Sequence, residues 1–597
     1  FVDKMVVDVS QNLCNSFKKE TFFEKKEFNV KDLPPDIHRV YKRLEKDHGR
    51  LYALNFVFIV TTAVELHRAW HNTLLTNKIL LQLKAKFDIH MTWDLGVTKL
   101  KFRVNDGMYE LHRKVPYDYD SEFQDLYMKI AVAYLDGHLT IDQALEFQSE
   151  TKKGKHTARS GLFLRGFPGR LIIYPSLSAS CAVIFFGGDW TDAGIAALTG
   201  LASGLVEYAC QTIGGTAIIL TDVFVGVSTG LIASLFYKYV QEVCIPSIFL
   251  GTLYWYFYGT AFVLGIVEMI CGELETGVVR FLAVSVKTFV LSLGTTFGMQ
   301  MVIKDSTGAW QNQSVCNTID LDAVKWRIPV YLWCSVSALG QYRFPVSQYW
   351  RGLLVQLAGY EVQYQVFKEL ATYHERDLLD TAAANLLGAI ASVVAAALLS
   401  EIVDRVTSYY NDRVLRRHSG NYSIFGEFMY KINVYYVRFS NRLGFGKMND
   451  LVYLDLTEKL KDRSSKLRSG ESLKMDTEEQ KLLLEAIVNA EDINIWALLM
   501  PTVYQLVPGS LIARLWFNAI FLPPLVTQEK TIQGTDFTYT TVKPDQVQEA
   551  VFQSLMVVAA SLAVGLIVGF GFVEVLTYLW NKAFCSHSNV SSSFRTA

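Results

Sequence analysis

The chain is short of charge and has no excess of either sign. Lysine, arginine, aspartate and glutamate make up 19% of its 597 residues, and the formal net charge is −1. Without a basic excess it lacks the electrostatic attraction that drives nucleic-acid binding, so no nucleic-acid partner is predicted. The hydrophobic fraction of 51% and the mean hydropathy of +0.20 lie between those of soluble and wholly membrane-embedded proteins. They predict a soluble part joined to a membrane part.

The cysteines show no C-x-x-C spacing, which argues against a zinc site. Most of the eight lie in or beside apolar runs, at positions 14, 181, 210, 244, 271, 316, 334 and 585. They are interpreted as small packing residues and not as a disulfide framework. His67 and His71 have the spacing of a helical metal-ligand pair, but no third ligand accompanies them. Neither a metal nor a cofactor is predicted.

Long apolar runs dominate the rest of the chain. Taken at about 20 residues each, they predict ten transmembrane helices, five within 171–303 and five within 327–580. The predicted spans are 171–187, 193–211, 215–238, 245–268, 277–303, 327–342, 352–369, 381–403, 494–521 and 551–580. Because five is odd, a repeated five-span unit enters the membrane upside down, the inverted arrangement of secondary transporters.

Two similar phrases favour such a repeat. Asp189 and Asp192 frame one D-x-x-D motif, and Asp377 and Asp380 frame another. In both phrases a glycine follows the second aspartate by eight residues. The prediction is therefore a mainly α polytopic membrane protein with two inverted five-helix halves.

A small soluble α+β domain is predicted at 31–167, after an N-terminal arm at 1–30. Its helices are expected at 36–47, 51–84, 121–135 and 140–150, and its strands at 89–93, 98–104 and 108–114. The apolar run at 51–64 is too short to cross a bilayer, so it is predicted to be a core helix.

Basic residues predict the orientation. They cluster before the first span, between Lys152 and Arg170, and again in a soluble insert at 404–493. Positively charged segments stay on the cytoplasmic side. Both termini, including a tail at 581–597, are therefore predicted on the cytoplasmic or matrix-equivalent side, with the loop 304–326 outside. Which membrane holds the protein is left open.

Several motifs, in order, resemble the ThrE-type threonine/serine exporter family, which includes fungal pheromone-regulated membrane proteins. The similarity runs over about residues 120–580. The motifs are Phe185-Phe-Gly-Gly-Asp-Trp-Thr-Asp192, Gly259-Thr-Ala-Phe-Val-Leu-Gly-Ile-Val-Glu268, Gly277-Val-Val-Arg280, Leu293-Gly-Thr-Thr-Phe-Gly298, Phe344-Pro345 with Ala358-Gly359-Tyr360, and Leu506-Val-Pro-Gly-Ser510.

The resemblance implies a cytoplasmic N-terminal domain, ten spans in two halves, and export of threonine and serine driven by the proton motive force. One departure concerns the fourth span, where the family has Pro-Gly and this chain has Tyr258-Gly259. Since proline breaks a helix, a more regular fourth helix is expected here. A second departure is Ala63-Val-Glu-Leu-His67-Arg68, in place of the family's Gly-Ala-Pro-x-His-Arg phrase.

Ionisable residues inside a bilayer are costly and mark candidate transport sites. Glu268 and Arg280 are predicted either to hold the ammonium and carboxylate of an amino acid or to form a structural ion pair. Asp222 is placed mid-span, as a proton carrier or a helix–helix hydrogen-bonding group. Further ionisable residues in predicted spans are Glu207, Lys287, Glu361, Arg514 and Glu574.

Helix starts and helix breaks supply the remaining candidates. Asp192 and Asp380 begin the second and eighth spans, as helix caps or as gate residues. Gly259 and the Pro508-Gly509 turn are expected to break helices, acting as hinges or exposing backbone to a solute.

Two functions remain open from the sequence. One is proton-coupled secondary export of small amino acids such as threonine and serine, with lipid, solute and proton as partners. The other is a non-transporting accessory subunit of a larger membrane complex. A homo-oligomer or partners within a membrane complex are compatible with both, and no enzymatic activity is predicted.

Overall fold

The computed structural model describes residues 28–415 and 495–584, apart from gaps. The gaps are 70–72, 97–98, 105–106, 116–119, 136, 138, 154–165, 241–242, 305–308, 311–315, 317–318, 320–322, 374–377, 507–508, 522–524, 532–537 and 545. His71, Asp377, Pro508 and most of the arm, the insert and the tail fall outside the described residues.

The N-terminal elements form a small α+β unit around a core of their own. The helices are α1 Pro35–His48, α2 Arg50–Arg68, α3 Thr73–Phe87, α4 Ser121–Leu135 and α5 Ile141–Lys152. The strands β1 Met91–Leu95, β2 Lys99–Val104 and β3 Tyr109–Lys114 form an antiparallel sheet in the order β1-β2-β3. Met91 pairs with Val104, and Lys99 pairs with Lys114.

Helix α2 is the central helix of this unit. Phe56, Phe58 and Ile59 are completely buried within the N-terminal core, which confirms that the short apolar run is a core helix. Helix α5 is capped by Thr140, which forms a reciprocal capping box with Gln143. Such a box satisfies two backbone donors that the first turn leaves free.

The predicted first membrane half consists of seven helical segments, two of which belong to one bent helix. They are α6 Phe167–Ile184, α7 Trp190–Ile213, α8 Thr216–Ile219, α9 Thr221–Tyr239, α10 Ile245–Leu253, α11 Gly259–Ile270 and α12 Leu274–Gln300. The second region contains α13 Val324–Gln341, α14 Tyr349–Tyr373, α15 Leu378–Leu415, α16 Ile495–Leu506, α17 Gly509–Phe521 and α18 Gln546–Phe584.

Each predicted span overlaps one helix or two successive helices, but not every helix has the length and apolarity of a membrane span. Among the described residues, five helices meet both conditions, and the bent pair α10–α11 brings the number to six. The five lie at Phe167–Ile184, Trp190–Ile213, Leu274–Gln300, Leu379–Ser400 and Val551–Leu576. The chain is therefore a mainly helical integral membrane protein, and the count of ten spans stays a prediction.

Glycines allow the membrane helices to pack closely. A Cβ placed on Gly230 of α9 would lie 2.0 Å from the carbonyl oxygen of Thr295 in α12. On the facing helix, a Cβ on Gly298 would lie 2.3 Å from the carbonyl oxygen of Val227. The backbones of α9 and α12 are thus in direct contact, as expected for G-x-x-x-G motifs.

The interpretation of all cysteines as packing residues was wrong for one pair. Cys244 and Cys316 form a disulfide across a sequence separation of 72 residues, with their Cα atoms 5.3 Å apart. Packing brings these residues together, so local spacing gave no sign of the bond. The antiparallel hairpin β4 Leu525–Thr531 and β5 Thr538–Pro544 was also missed.

Candidate functional site

A broken helix crosses the middle of the first half. Helix α10 ends at Leu253, a 3₁₀ turn covers Tyr254–Phe257, and α11 begins at Gly259 with a bend of 48°. Tyr258 has left-handed backbone angles, φ 48° and ψ 24°. The expectation of a more regular fourth helix was therefore wrong, because a left-handed residue after a 3₁₀ turn ends the hydrogen-bond ladder without proline.

The end of α16 contacts this broken helix. Helix α16 ends at Leu506 and α17 begins at Gly509. The hydroxyl of Tyr254 donates to the carbonyl oxygens of Tyr504 at 3.2 Å and Gln505 at 3.3 Å. The rings of Tyr254 and Tyr504 also make an edge contact, with centroids 4.9 Å apart. The 3₁₀ turn of the first broken helix thus contacts the end of α16.

A small cavity lies beside the first break, between α6, α7 and α10. Its lining combines hydroxyl-bearing and aromatic residues with glycine and leucine. The lining residues are Tyr174, Leu177, Ser178, Gly200, Ser203, Gly251, Thr252, Trp255 and Tyr256. Its free space, about 10 Å³, is that of roughly one water molecule. The helices are therefore closed around a polar pocket in this conformation.

Glu207 of α7 is hydrogen-bonded to two tyrosines of that wall. Its Oε2 accepts from the hydroxyls of Tyr174 at 2.6 Å and Tyr256 at 2.8 Å. Its Oε1 accepts from Nε2 of Gln211 at 2.9 Å and faces Nη1 of Arg170 at 3.4 Å. The sequence showed that Glu207 is ionisable and within a span, but the partners that single it out come from other helices.

Asp222 lies in the first turn of α9. The reason is that the predicted third span divides into α8 and α9, which puts Asp222 near a helix start. Its Oδ1 accepts from the hydroxyl of Tyr258 at 3.1 Å. Nζ of Lys287 lies 4.8 Å from the centroid of the same tyrosine ring. The side chain of Tyr258, the left-handed residue of the break, therefore contacts both a carboxylate and a cation.

Glu268 and Arg280 are brought together at the end of α11 and the start of α12. Nε of Arg280 donates to Oε2 of Glu268 at 3.0 Å, and Nη2 donates to Oε1 at 2.9 Å. Both side chains are buried, with exposed fractions of 5% for Arg280 and 2% for Glu268. Arg280 also reaches Oγ1 of Thr73, at 3.4 Å, in the N-terminal unit. The pair joins three elements.

Asp192 is a capping residue with a further contact. Asp189 and Asp192 form a reciprocal capping box at the start of α7. Oδ1 of Asp192 also accepts from the backbone nitrogen of Cys244 at 3.0 Å. The start of α7 is thus fixed to the start of α10, next to the disulfide.

Asp380 lies buried in the first turn of α15, and its Oδ2 has no hydrogen-bond partner among the described residues. The two D-x-x-D phrases therefore stand before α7 and α15, the second predicted span of one half and the third of the other. They do not occupy equivalent places in the proposed repeat.

The comparison with protein families gives one match. Residues 169–302 match the ThrE family model, described as "Putative threonine/serine exporter". Residues 169–302 are similar to this family and are called the ThrE-type domain below. The matched range covers α6 to α12, including the broken helix, the cavity, Glu207 and the Glu268–Arg280 pair. Searches of curated proteins and of solved structures gave no match.

The ThrE-type domain supports a transport function and a small-molecule substrate. It agrees with the resemblance noted in the sequence over the first half. The motifs at Phe344-Pro345 and Leu506-Val-Pro-Gly-Ser510 lie outside the matched residues.

Proposed function

We propose that the protein is a proton-coupled secondary transporter that exports small amino acids such as threonine and serine. The observation that carries the proposal is the broken helix within the ThrE-type domain, beside a polar cavity. Broken helices in transporters present backbone groups and helix ends to a solute at mid-membrane. Here Gly259 opens the second half-helix, and hydroxyls of Ser178, Ser203 and Thr252 line the neighbouring cavity.

Two inverted five-helix halves are part of the proposal. In each half, two successive helices lie within the fourth predicted span, α10 with α11 and α16 with α17. Each half also packs its third span on its fifth through glycine. Gly230 contacts Thr295 across α9 and α12, and a Cβ on Gly565 of α18 would lie 2.7 Å from the carbonyl oxygen of Leu386 in α15. These recurring features support the repeat better than the D-x-x-D phrases do.

The disulfide supports the proposed orientation. Cys244 and Cys316 lie in loops that the distribution of basic residues places on the outer side. Disulfides persist in oxidising compartments and are rare in the cytosol. A bond between these two loops therefore agrees with an outer face that is extracytoplasmic.

Contacts of the N-terminal unit support the same orientation. The 31–167 region is proposed as an inner-side domain docked on the membrane helices. The backbone nitrogen of Ser121 donates to the carbonyl oxygen of Tyr342 at 3.0 Å, and Arg343 faces Asp120 at 3.6 Å. Together with the Arg280–Thr73 contact, these bonds fix the unit to the ends of α12 and α13 that are proposed to face inward.

Counterflow in proteoliposomes tests the transport proposal. Vesicles loaded with unlabelled threonine should accumulate labelled threonine or serine transiently, with no pH difference across the membrane. Imposing a pH gradient should then change the rate and extent of uptake if a proton is coupled. Folded protein that gives no counterflow with any small amino acid would instead indicate the accessory-subunit function.

A further inference from the structure

Glu207 separates the cavity from the inner ends of α6 and α7. The two phenols bonded to it belong to the cavity wall, whereas Arg170 and Gln211 lie nearer the helix ends that are proposed to face inward. The bonded groups come from α6, from α7 itself and from the 3₁₀ turn after α10. A single carboxylate thus holds together the elements that close the pocket on that side.

The groups around Glu207 suit an ionised carboxylate. The Gln211 amide donates, the Arg170 guanidinium can only donate, and both phenols can donate to it as well. An ionised carboxylate accepts at about four lone-pair positions, and a protonated one must give up one of them to its own O–H. All four groups can therefore donate together only to the ionised form. Adding a proton removes one of these bonds or reverses its direction.

We propose that Glu207 is the proton-binding latch of the cavity. In its ionised form it holds Tyr174 and Tyr256 across the inner side of the pocket. Protonation releases one of the two phenols and allows the pocket to open inward. This proposal rests on the proposed function, since it identifies the group through which a proton drives solute movement.

Other charged groups lie near the latch. Asp222 on α9 accepts from the hydroxyl of Tyr258, and Nζ of Lys287 on α12 lies over the ring of that tyrosine. Among the described residues, the charged and titratable groups bonded to Glu207 itself are Arg170, Tyr174 and Tyr256.

The direction of coupling is that of a proton/solute antiporter. A proton that enters the cavity from the outer side binds a Glu207 oxygen and breaks a phenol bond. The inner side opens, the proton leaves to the inner solution, and a solute enters. The ionised carboxylate then binds both phenols again and closes the inner side behind the solute. One proton moves inward for each solute that moves outward.

Accessibility of a single cysteine tests the latch. The reporter is Ser203→Cys, in a background where Cys14, Cys271 and Cys585 are serine. The protein is reconstituted with its inner side facing the bath, and its modification by a membrane-impermeant maleimide is timed at several pH values. Because a maleimide reacts with the thiolate, each rate is divided by that of a free thiol at the same pH. This ratio should rise by up to about tenfold per pH unit of acidification. The same background with Ser203 retained measures labelling of the remaining cysteines.

Two test variants and two control variants decide the outcome. Glu207→Gln should be modified quickly at every pH, because a neutral amide cannot accept from all four donors. Tyr256→Phe should raise the rate at neutral pH and keep a weaker pH response through Tyr174, which also serves if Glu207→Gln fails to fold. Glu574→Gln and Tyr208→Phe, which alter exposed residues on α18 and α7, should behave like the parent protein.

The results separate this proposal from the transport proposal. A parental pH response in Glu207→Gln, or unchanged modification in Tyr256→Phe, overturns the latch even where counterflow is intact. If Glu207→Gln and Tyr256→Phe both alter the pH response of modification as expected, the latch is supported. If the parent protein shows that pH response but no counterflow, only the transport function is overturned.

Discussion

At the scale of single residues, the charged groups of the ThrE-type domain have partners on other elements. Charge within a bilayer is tolerated when it is paired or faces the protein interior. Glu268 meets Arg280, and Glu207 meets Arg170 and two phenols. The sequence could predict the first pair, whose members are 12 residues apart. The partners of Glu207 at Tyr174 and Tyr256 are 33 and 49 residues away, so only packing shows them.

Removing one member of the Glu268–Arg280 pair should destabilise the protein strongly. Arg280→Ala leaves a buried carboxylate without its guanidinium, and losses of about 3–5 kcal/mol are typical of such sites. Glu268→Met combined with Arg280→Met should recover much of the loss, because no unpaired charge remains. Thermal unfolding in detergent, followed by loss of the monodisperse peak, measures both. A single variant as stable as the parent would contradict a tightly coupled buried pair.

At the scale of elements, helix positions follow from apolar periodicity, but the break in the fourth span does not. Each predicted span contains a helix at nearly the expected place. The family's proline is absent before Gly259, and the sequence therefore predicted a regular helix. The left-handed angles of Tyr258 depend on packing around the 3₁₀ turn, including its hydrogen bond to Asp222. Propensity alone carries no such information.

The close approach of α9 and α12 gives a prediction for glycine. Gly230→Ala forces a methyl group against the Thr295 backbone, and since backbone yields little, a loss of about 1–3 kcal/mol is expected. Gly194→Ala on α7 is the matched control, because its Cβ meets no described atom within 4 Å. Midpoints of thermal unfolding for the two variants provide the comparison. Equal effects at both positions would show that α9 and α12 are not in backbone contact.

At the scale of the whole molecule, the disulfide links orientation to stability. Cys244→Ser should lower stability by about 2–4 kcal/mol, since the bond closes a loop with a sequence separation of 72 residues. In sealed cells, a membrane-impermeant reductant should expose both thiols to an impermeant label applied from outside. Labelling that requires opening the membrane would place this face on the cytoplasmic side and reverse the proposed orientation.

The family match and the fold lead to one account at this scale. The ThrE-type domain contains a broken helix, a closed polar cavity and a carboxylate that bonds the cavity wall. The second region has similar glycine packing, between α15 and α18, and lies outside the family match. A role of the second region in transport is thus inferred from its helix packing, whereas the proposed transport function rests on residues 169–302.

The most direct test of the central claim is protection of the cavity by its solute. Ser203→Cys in the serine background should react more slowly with the impermeant maleimide as threonine or serine is added. The concentration that halves the rate should match the one that half-saturates counterflow, and a solute that gives no counterflow should give no protection. If threonine is transported while the modification rate of this cysteine stays the same, the solute takes another path and the account is contradicted.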